Sequence, residues 1–192
     1  MQLQKSVMFM GIAGSWKTSQ SKLLARLSWS KRFTAGELIK QNTALSQQLK
    51  NWNELNRDDS YRWAHSILWP QTWENIILDG FFRSQGNFAA AVDVFPDIEI
   101  IYLQTSIKQW LDRVLSRWRD TSERVAHTDV SKISSLVRRM IFDEDKIKNV
   151  FDYSSACINF IPNTWIMSDY DNSIEGTQKR VIYELRNKNI LI

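Results

Sequence analysis

The amino-acid sequence predicts an α/β fold built on a parallel sheet, and three observations carry that prediction. Short apolar runs bounded by turn signals recur at Val7 to Met10, Ile76 to Leu78, Ile98 to Leu103 and Trp165 to Met167. Helical stretches separate them, and this alternation is the pattern of parallel strands joined by crossover helices. The chain of 192 residues is long enough to bury a substantial core without staples. No repeat, low-complexity tract or Pro/Gly-rich linker divides it, and Pro70, Pro96 and Pro162 all lie where elements would join. One domain over 1–192 is the expected organisation.

The elements follow in order. Val7 to Met10 reads as a strand, and it runs straight into Gly11-Ile12-Ala13-Gly14-Ser15-Trp16-Lys17-Thr18-Ser19-Gln20, followed by the helical pattern Ser21 to Leu27. A strand ending in a glycine-bearing turn that feeds a helix aims backbone N–H groups and a helix N-terminus at one point, where a polyphosphate can be held and Lys17 can reach it. The pattern GxxxxGK followed by Ser or Thr is met at Gly11, Lys17 and Thr18, but Trp16 stands where glycine is expected. If that position needs positive φ, a side chain there costs roughly 1 to 2 kcal/mol. Read alone, the segment is equally an ordinary strand-to-helix turn with a solvated Lys17.

Arg32-Phe33-Thr34 supplies a fifth short strand. The next apolar run ends in Leu78-Asp79-Gly80-Phe81-Phe82-Arg83. An aspartate at the tip of a strand beside a phosphate loop can hold Mg²⁺ or its water shell. After Thr105 and Ser106, the residues Ile107, Trp110, Leu111, Val114, Leu115 and Trp118 fall at helical spacing and make one buried stripe. The other face carries Arg113 and Arg117, one turn apart, which could converge on phosphate oxygens or simply be solvated.

Composition narrows the classes. The single Cys157 makes no internal bridge and lacks the spacing of a zinc site, which suits a reducing compartment, the cytoplasm. The apolar run near the start is too short for a signal-peptide core, and no run of about 18 apolar residues is present to span a bilayer. The formal charge of +4 comes from 25 basic and 21 acidic residues spread along the chain. That balance suits a nucleotide as well as a nucleic acid. The nine tryptophans invite base stacking, but their apolar neighbours and spacing favour the core for most of them.

The order GxxGxxKxxQ, then Thr34-Ala35-Gly36-Glu37-Leu38, then Leu78 to Arg83, then an arginine-bearing helix, resembles the adenylate kinase and UMP-CMP kinase family of P-loop nucleoside monophosphate kinases. The resemblance covers nearly the whole chain. It implies a three-layer P-loop kinase fold with a five-stranded parallel sheet, an acceptor-binding helical region at about 36–72 and a short lid at about 118–138. It also implies that Gly11, Ala13, Gly14, Ser15, Trp16, Lys17, Thr18 and Ser19 surround the phosphates of ATP, with Gln20 opening the first helix. Thr18 and Asp79 would serve Mg²⁺.

On the acceptor side, the resemblance implies roles for Ala35, Gly36, Lys40, Gly80, Arg83 and Asn87. Lys40 stands where the family segment TGDLLR has arginine and so lacks the two-pronged fork. Arg83 matches the arginine of DGFPR, with Phe82 replacing the proline. Asn87 falls where adenylate kinases carry glutamine and UMP-CMP kinases asparagine, which tilts the acceptor toward a pyrimidine; a turn or capping asparagine is the competing reading. Arg113 and Arg117 match the two arginines of the helix leading into the lid. The lid pattern GRxDD maps loosely: Asp129 and Arg138 keep roughly its spacing, His127 falls on the lid arginine and Val130 on the second aspartate, with Arg124 or Arg139 as substitutes.

The implied activity is phosphoryl transfer from MgATP to a nucleoside or deoxynucleoside monophosphate by a monomer. Lys17, Arg83, Arg113, Arg117 and Arg138 would neutralise the transferring group. Trp16, Lys40 and His127 equally suit a non-catalytic nucleotide binder on the same fold. A kinase acting on nucleic acid ends is the third reading, resting on the basic balance and the aromatics.

Overall fold

The computed structural model describes residues 1–12, 14–41, 56–81, 84–106, 108–113, 141, 145, 147–149, 164–167 and 173–192. Its sheet holds five parallel strands, β1 (Val7–Met10), β2 (Arg32–Thr34), β3 (Ile77–Asp79), β4 (Glu99–Gln104) and β5 (Thr164–Met167), in the order β2-β3-β1-β4-β5. The helices are α1 (Lys17–Ser28), α2 (Ala35–Gln41), α3 (Arg57–Leu68), α4 (Gln85–Val94) and α5 (Ile174–Asn187), with a 3₁₀ turn at Trp69–Gln71 around Pro70.

Because side chains alternate along a strand, β1 feeds two cores. Met8 and Met10 pack with Trp63, Leu68, Leu78, Phe81 and Phe88 under α3 and α4. Val7 and Phe9 pack with Leu24, Ile101, Leu103, Val181 and Leu185 under α1 and α5. The sheet is thus sandwiched between two helical layers, the three-layer arrangement expected of buried parallel strands. On the α3/α4 side the helices come very close at Gly86. An added Cβ would lie 2.1 Å from both the Arg57 carbonyl oxygen and Ser60 Oγ.

The parallel pairing puts the C-terminal tips of β1, β2 and β3 side by side, with Thr34 opposite Asp79 and Asp79 opposite Phe9. Crevices at such strand ends are where ligands bind in open α/β sheets. At the other end of the sheet, Glu99 accepts from Lys188 Nζ at 2.6 Å and from Thr164 Oγ1, tying β4, β5 and the end of α5 together. Among the described residues no helix is long and apolar enough to cross a membrane.

The described tryptophans depart from the expected core placement. Of the six tryptophans whose side chains are described, only Trp63 and Trp110 are buried, whereas Trp29, Trp69 and Trp73 are exposed. Trp29 and Trp69 lie at helix ends and Trp73 in a turn, where apolar neighbours in sequence do not become neighbours in space. Of the two readings of Arg113, a side chain turned to phosphate oxygens and a solvated one, the solvated one does not hold, since Arg113 is only 8% exposed. Segment 108–113 is helical, and its Trp110 points into the core as the periodicity requires.

Candidate active site: a phosphate loop facing the tips of two strands

The segment between β1 and α1 is bent by three left-handed residues, Gly11 (φ 144°), Gly14 (φ 85°) and Trp16 (φ 65°). Gly11 has no alternative, because a Cβ there would lie 2.6 Å from the Leu103 carbonyl oxygen and from Ser15 Oγ. The Ser15 N–H closes the turn onto the Ile12 carbonyl at 3.2 Å. Trp16 is the N-cap of α1 with ψ 14°, a left-handed conformation that glycine takes freely and a residue with a Cβ does not.

The start of α1 differs from the other helix starts. Asn56, Ser84 and Ser173 each accept a backbone N–H at the head of α3, α4 and α5, whereas Trp16 makes no side-chain cap bond. Gln20, fully buried, instead donates to the Ile174 carbonyl at 2.9 Å and pins the first turn of α1 to the start of α5. An uncapped helix N-terminus behind a glycine turn presents N–H groups and a positive dipole end to an anion.

That terminus opens on a cleft of about 340 Å³. Gly14, Trp16, Lys17, Thr18 and Ser19 form one wall, and Thr34, Ala35, Gly36 and Glu37, with Asp79 and Gly80, form the other. The phosphate-loop, acceptor-side and strand-tip residues singled out from sequence therefore meet in one place. Gly11 and Ser15 lie buried beneath the loop and shape it.

Two cations are engaged by the loop's own groups. Lys17 Nζ donates to the Ile12 carbonyl at 2.6 Å. The Arg113 guanidinium lies 3.4 Å from the centroid of the Trp16 ring and donates to the Gly14 carbonyl at 3.4 Å and to Thr105 Oγ1 at 3.5 Å. This stacking is the cation–π geometry, and it explains why Arg113 is buried rather than solvated.

Asp79 is committed as well. Its Oδ2 accepts from Ser21 Oγ at 3.2 Å and from Arg32 Nη1 at 3.0 Å, and Arg32 also pairs with Glu37 at 3.3 Å. Arg32 was not singled out from the sequence. Its role follows from the β2–β3 register, which puts Thr34 against Asp79, and no residue pattern announces that pairing. Among the described residues no three His, Cys, Asp or Glu side chains cluster, so no ready-made metal cage is present. The donor set fits a Mg²⁺ that arrives on phosphates and meets Thr18, with Asp79 neutralised behind it.

Asn87 is placed differently from the expectation of a base reader. It sits in the first turn of α4, where its N–H donates to Ser84 Oγ at 3.1 Å, and its side chain is buried away from the residues that line the cleft. The helix start explains this, since the third residue after a serine cap is held by the cap itself. Lys40 lies in α2, but its side chain falls outside the described residues, as do Ala13, Phe82, Arg83, Arg117, Arg124, His127, Asp129, Val130, Arg138 and Arg139.

The fold is that of the P-loop kinases of small molecules. The chain superposes on a gluconokinase from Sinorhizobium meliloti with a TM-score of 0.60 at 12% identity, covering 98% of this chain and 99% of that one. It matches a sugar kinase from Janibacter sp. with a TM-score of 0.58 at 13% identity, covering 95% and 94%. Shikimate kinase from Aquifex aeolicus gives 0.55 at 10% identity, covering 96% and 98%. In sequence, the chain is 30% identical to adenylate kinase of Chlamydia muridarum, over 58% of this chain and 54% of that protein, so it spans about half the length of the curated relative it matches. No family model matches the chain.

Proposed function

We propose that the chain is an ATP-dependent kinase whose acceptor is a nucleoside or deoxynucleoside monophosphate. The observation that carries the reading is the single cleft in which an uncapped α1 terminus and Lys17 face Asp79-Gly80 and the Ala35-Gly36-Glu37 turn. The sequence similarity to an adenylate kinase favours a phosphorylated acceptor over the sugar acids of the structural neighbours.

Transfer of a phosphoryl group demands little covalent help from protein; it demands alignment and charge neutralisation. In this reading the loop amides and Lys17 take the β- and γ-phosphates of ATP, Lys17 exchanging the Ile12 carbonyl for a phosphate oxygen. Bound Mg²⁺ would neutralise the phosphate oxygens, with Thr18 as its protein contact. Arg113 leaves the Trp16 ring and joins Arg117 and Arg138 over the transferring group, while Lys40 and Arg83 hold the acceptor phosphate. An acceptor oxygen attacks the γ-phosphorus, a new P–O bond forms and the bond to the β-phosphate oxygen breaks, releasing ADP. The region at about 36–72 then serves the acceptor and that at about 118–138 the lid, within one domain and with no membrane or nucleic acid involved.

A second reading, a nucleotide-binding protein without turnover, draws support from the Lys17 bond to Ile12 and from Arg113 stacked on Trp16, since both cations are engaged within the loop. One experiment separates the two. ADP release is measured with each nucleoside and deoxynucleoside monophosphate, with gluconate and with shikimate as acceptors, beside calorimetric titration of ATP. Turnover with a monophosphate is expected. Turnover with gluconate or shikimate alone would refute the acceptor assignment, and ATP binding with no turnover on any acceptor would favour the second reading.

A further inference from the structure

We propose that positions 16 and 29 are glycine positions, and that the source of this chain translates their codon, UGA, as glycine. The first ground is conformational. Among the described residues, the only ones other than glycine with positive φ are Trp16 (65°), Trp29 (56°) and Asn189 (55°). Asparagine visits this region readily; a bulky aromatic side chain does not.

The second ground is position. Both tryptophans flank the same helix, Trp16 as its N-cap in the phosphate loop and Trp29 as its C-cap. At the C-cap, the Trp29 N–H bonds to the Ala25 carbonyl and the Ser30 N–H reaches the same oxygen at 3.2 Å. A left-handed residue closing a helix in this way is characteristically glycine. The Trp29 indole gains nothing in return, because the residue is 89% exposed.

The third ground is composition. The chain has six glycines and nine tryptophans, whereas a chain of this length carries roughly 13 glycines on average. Tryptophan is in excess where glycine is short.

Two separate replacements of glycine by the bulkiest residue, at opposite ends of one helix and both in left-handed geometry, call for one cause. UGA supplies it, because different genetic codes read that codon as stop, tryptophan or glycine. With glycine at 16 the loop loses its strain, and the indole stacked on the Arg113 guanidinium disappears, uncovering that face of the group toward the loop. The inference concerns the polypeptide itself and stands whether or not the chain transfers phosphate.

The test reads the gene and the peptide. UGA codons at 16 and 29, and glycine at both in tryptic peptides of the protein isolated from its source by mass spectrometry, are expected. A UGG codon or a tryptophan-bearing peptide at either position overturns the proposal. The Trp29→Gly variant tests the geometry separately, since its indole packs on nothing; a Tm rise of about 2 to 4 °C is expected, and no rise or a fall counts against a glycine position there. Trp16→Gly should also tighten ATP binding at least tenfold. Glycine found at both positions in the natural peptide, with ATP still unbound by Trp16→Gly, would leave this inference standing and sink the kinase reading.

Discussion

Helices α1 and α5 lie on the same face of the sheet and pack on the same apolar cluster, yet their N-termini are finished in opposite ways. At α5, Ser173 Oγ accepts the Gly176 N–H at 2.9 Å, Thr177 Oγ1 bonds back to the Ser173 carbonyl, and Glu175 sits in the first turn against the positive dipole end. At α1 there is no side-chain cap and no acidic residue in the first turn, and the first helical residue is the cation Lys17. A helix start with a lysine, no side-chain cap and no acidic residue is electrostatically incomplete. The contrast teaches that α5 is satisfied by its own sequence, whereas α1 lacks both a side-chain cap and a first-turn acid, which is the condition the proposed phosphate site requires.

The sharpest way to break this contrast is Lys17→Ala. It should weaken binding of ATP or inorganic triphosphate by roughly 100- to 1,000-fold, while the Tm stays nearly constant because the ammonium supports no core. Calorimetry and thermal melting check both halves, and undiminished affinity would mean that α1 is not an anion site. Next in size is Asp79→Ala, which removes the buried partner of Arg32 and leaves it only the exposed Glu37. Denaturant unfolding should register a loss of about 3 kcal/mol, and a loss near zero would show that solvent already carries that charge.

Ser173→Ala sharpens the comparison from the other side. It should cost about 1 kcal/mol of stability with ATP affinity unaltered, and a drop in affinity would show the two termini to be coupled through Gln20. The smallest effect is expected for Glu37→Gln. The pair it removes is exposed on the Glu37 side and should be worth no more than about 0.5 kcal/mol, while loss of a negative charge from the cleft wall should modestly tighten binding of an acceptor phosphate in a competition titration.

How much of this was legible in the sequence depends on how local the determinant was. The strands appeared within a residue or so of where apolar runs placed them, and Gly11, Gly14, Lys17, Thr18, Asp79 and Gly80 were readable because each belongs to a contiguous strand-turn-helix pattern. Even the left-handed conformation at Trp16 was foreseeable from the glycine that the pattern expects. Arg32 was not, because its partner Asp79 is 47 residues away and only the strand register brings them together. The resting partner of Arg113 was hidden for a related reason. Helical periodicity assigns Arg113 to a polar face, but the indole beneath it belongs to a loop 97 positions earlier in the chain, as the contact between residues 16 and 113 records. Asn87 stayed open because a residue held at a helix start and a residue reading a base look alike in one sequence, and its N–H is bonded to the Ser84 cap.

The bare contact at Gly86 carries a mechanical corollary. The main chain of α4 approaches α3 so closely there that not even a methyl group fits, while the Tyr61–Asp93 and Ser84–Ser60 side-chain bonds tie the two helices on either side of that point. Gly86→Ala would force the two helices apart and thereby strain the bond of Ser84, the cap of α4, to Ser60.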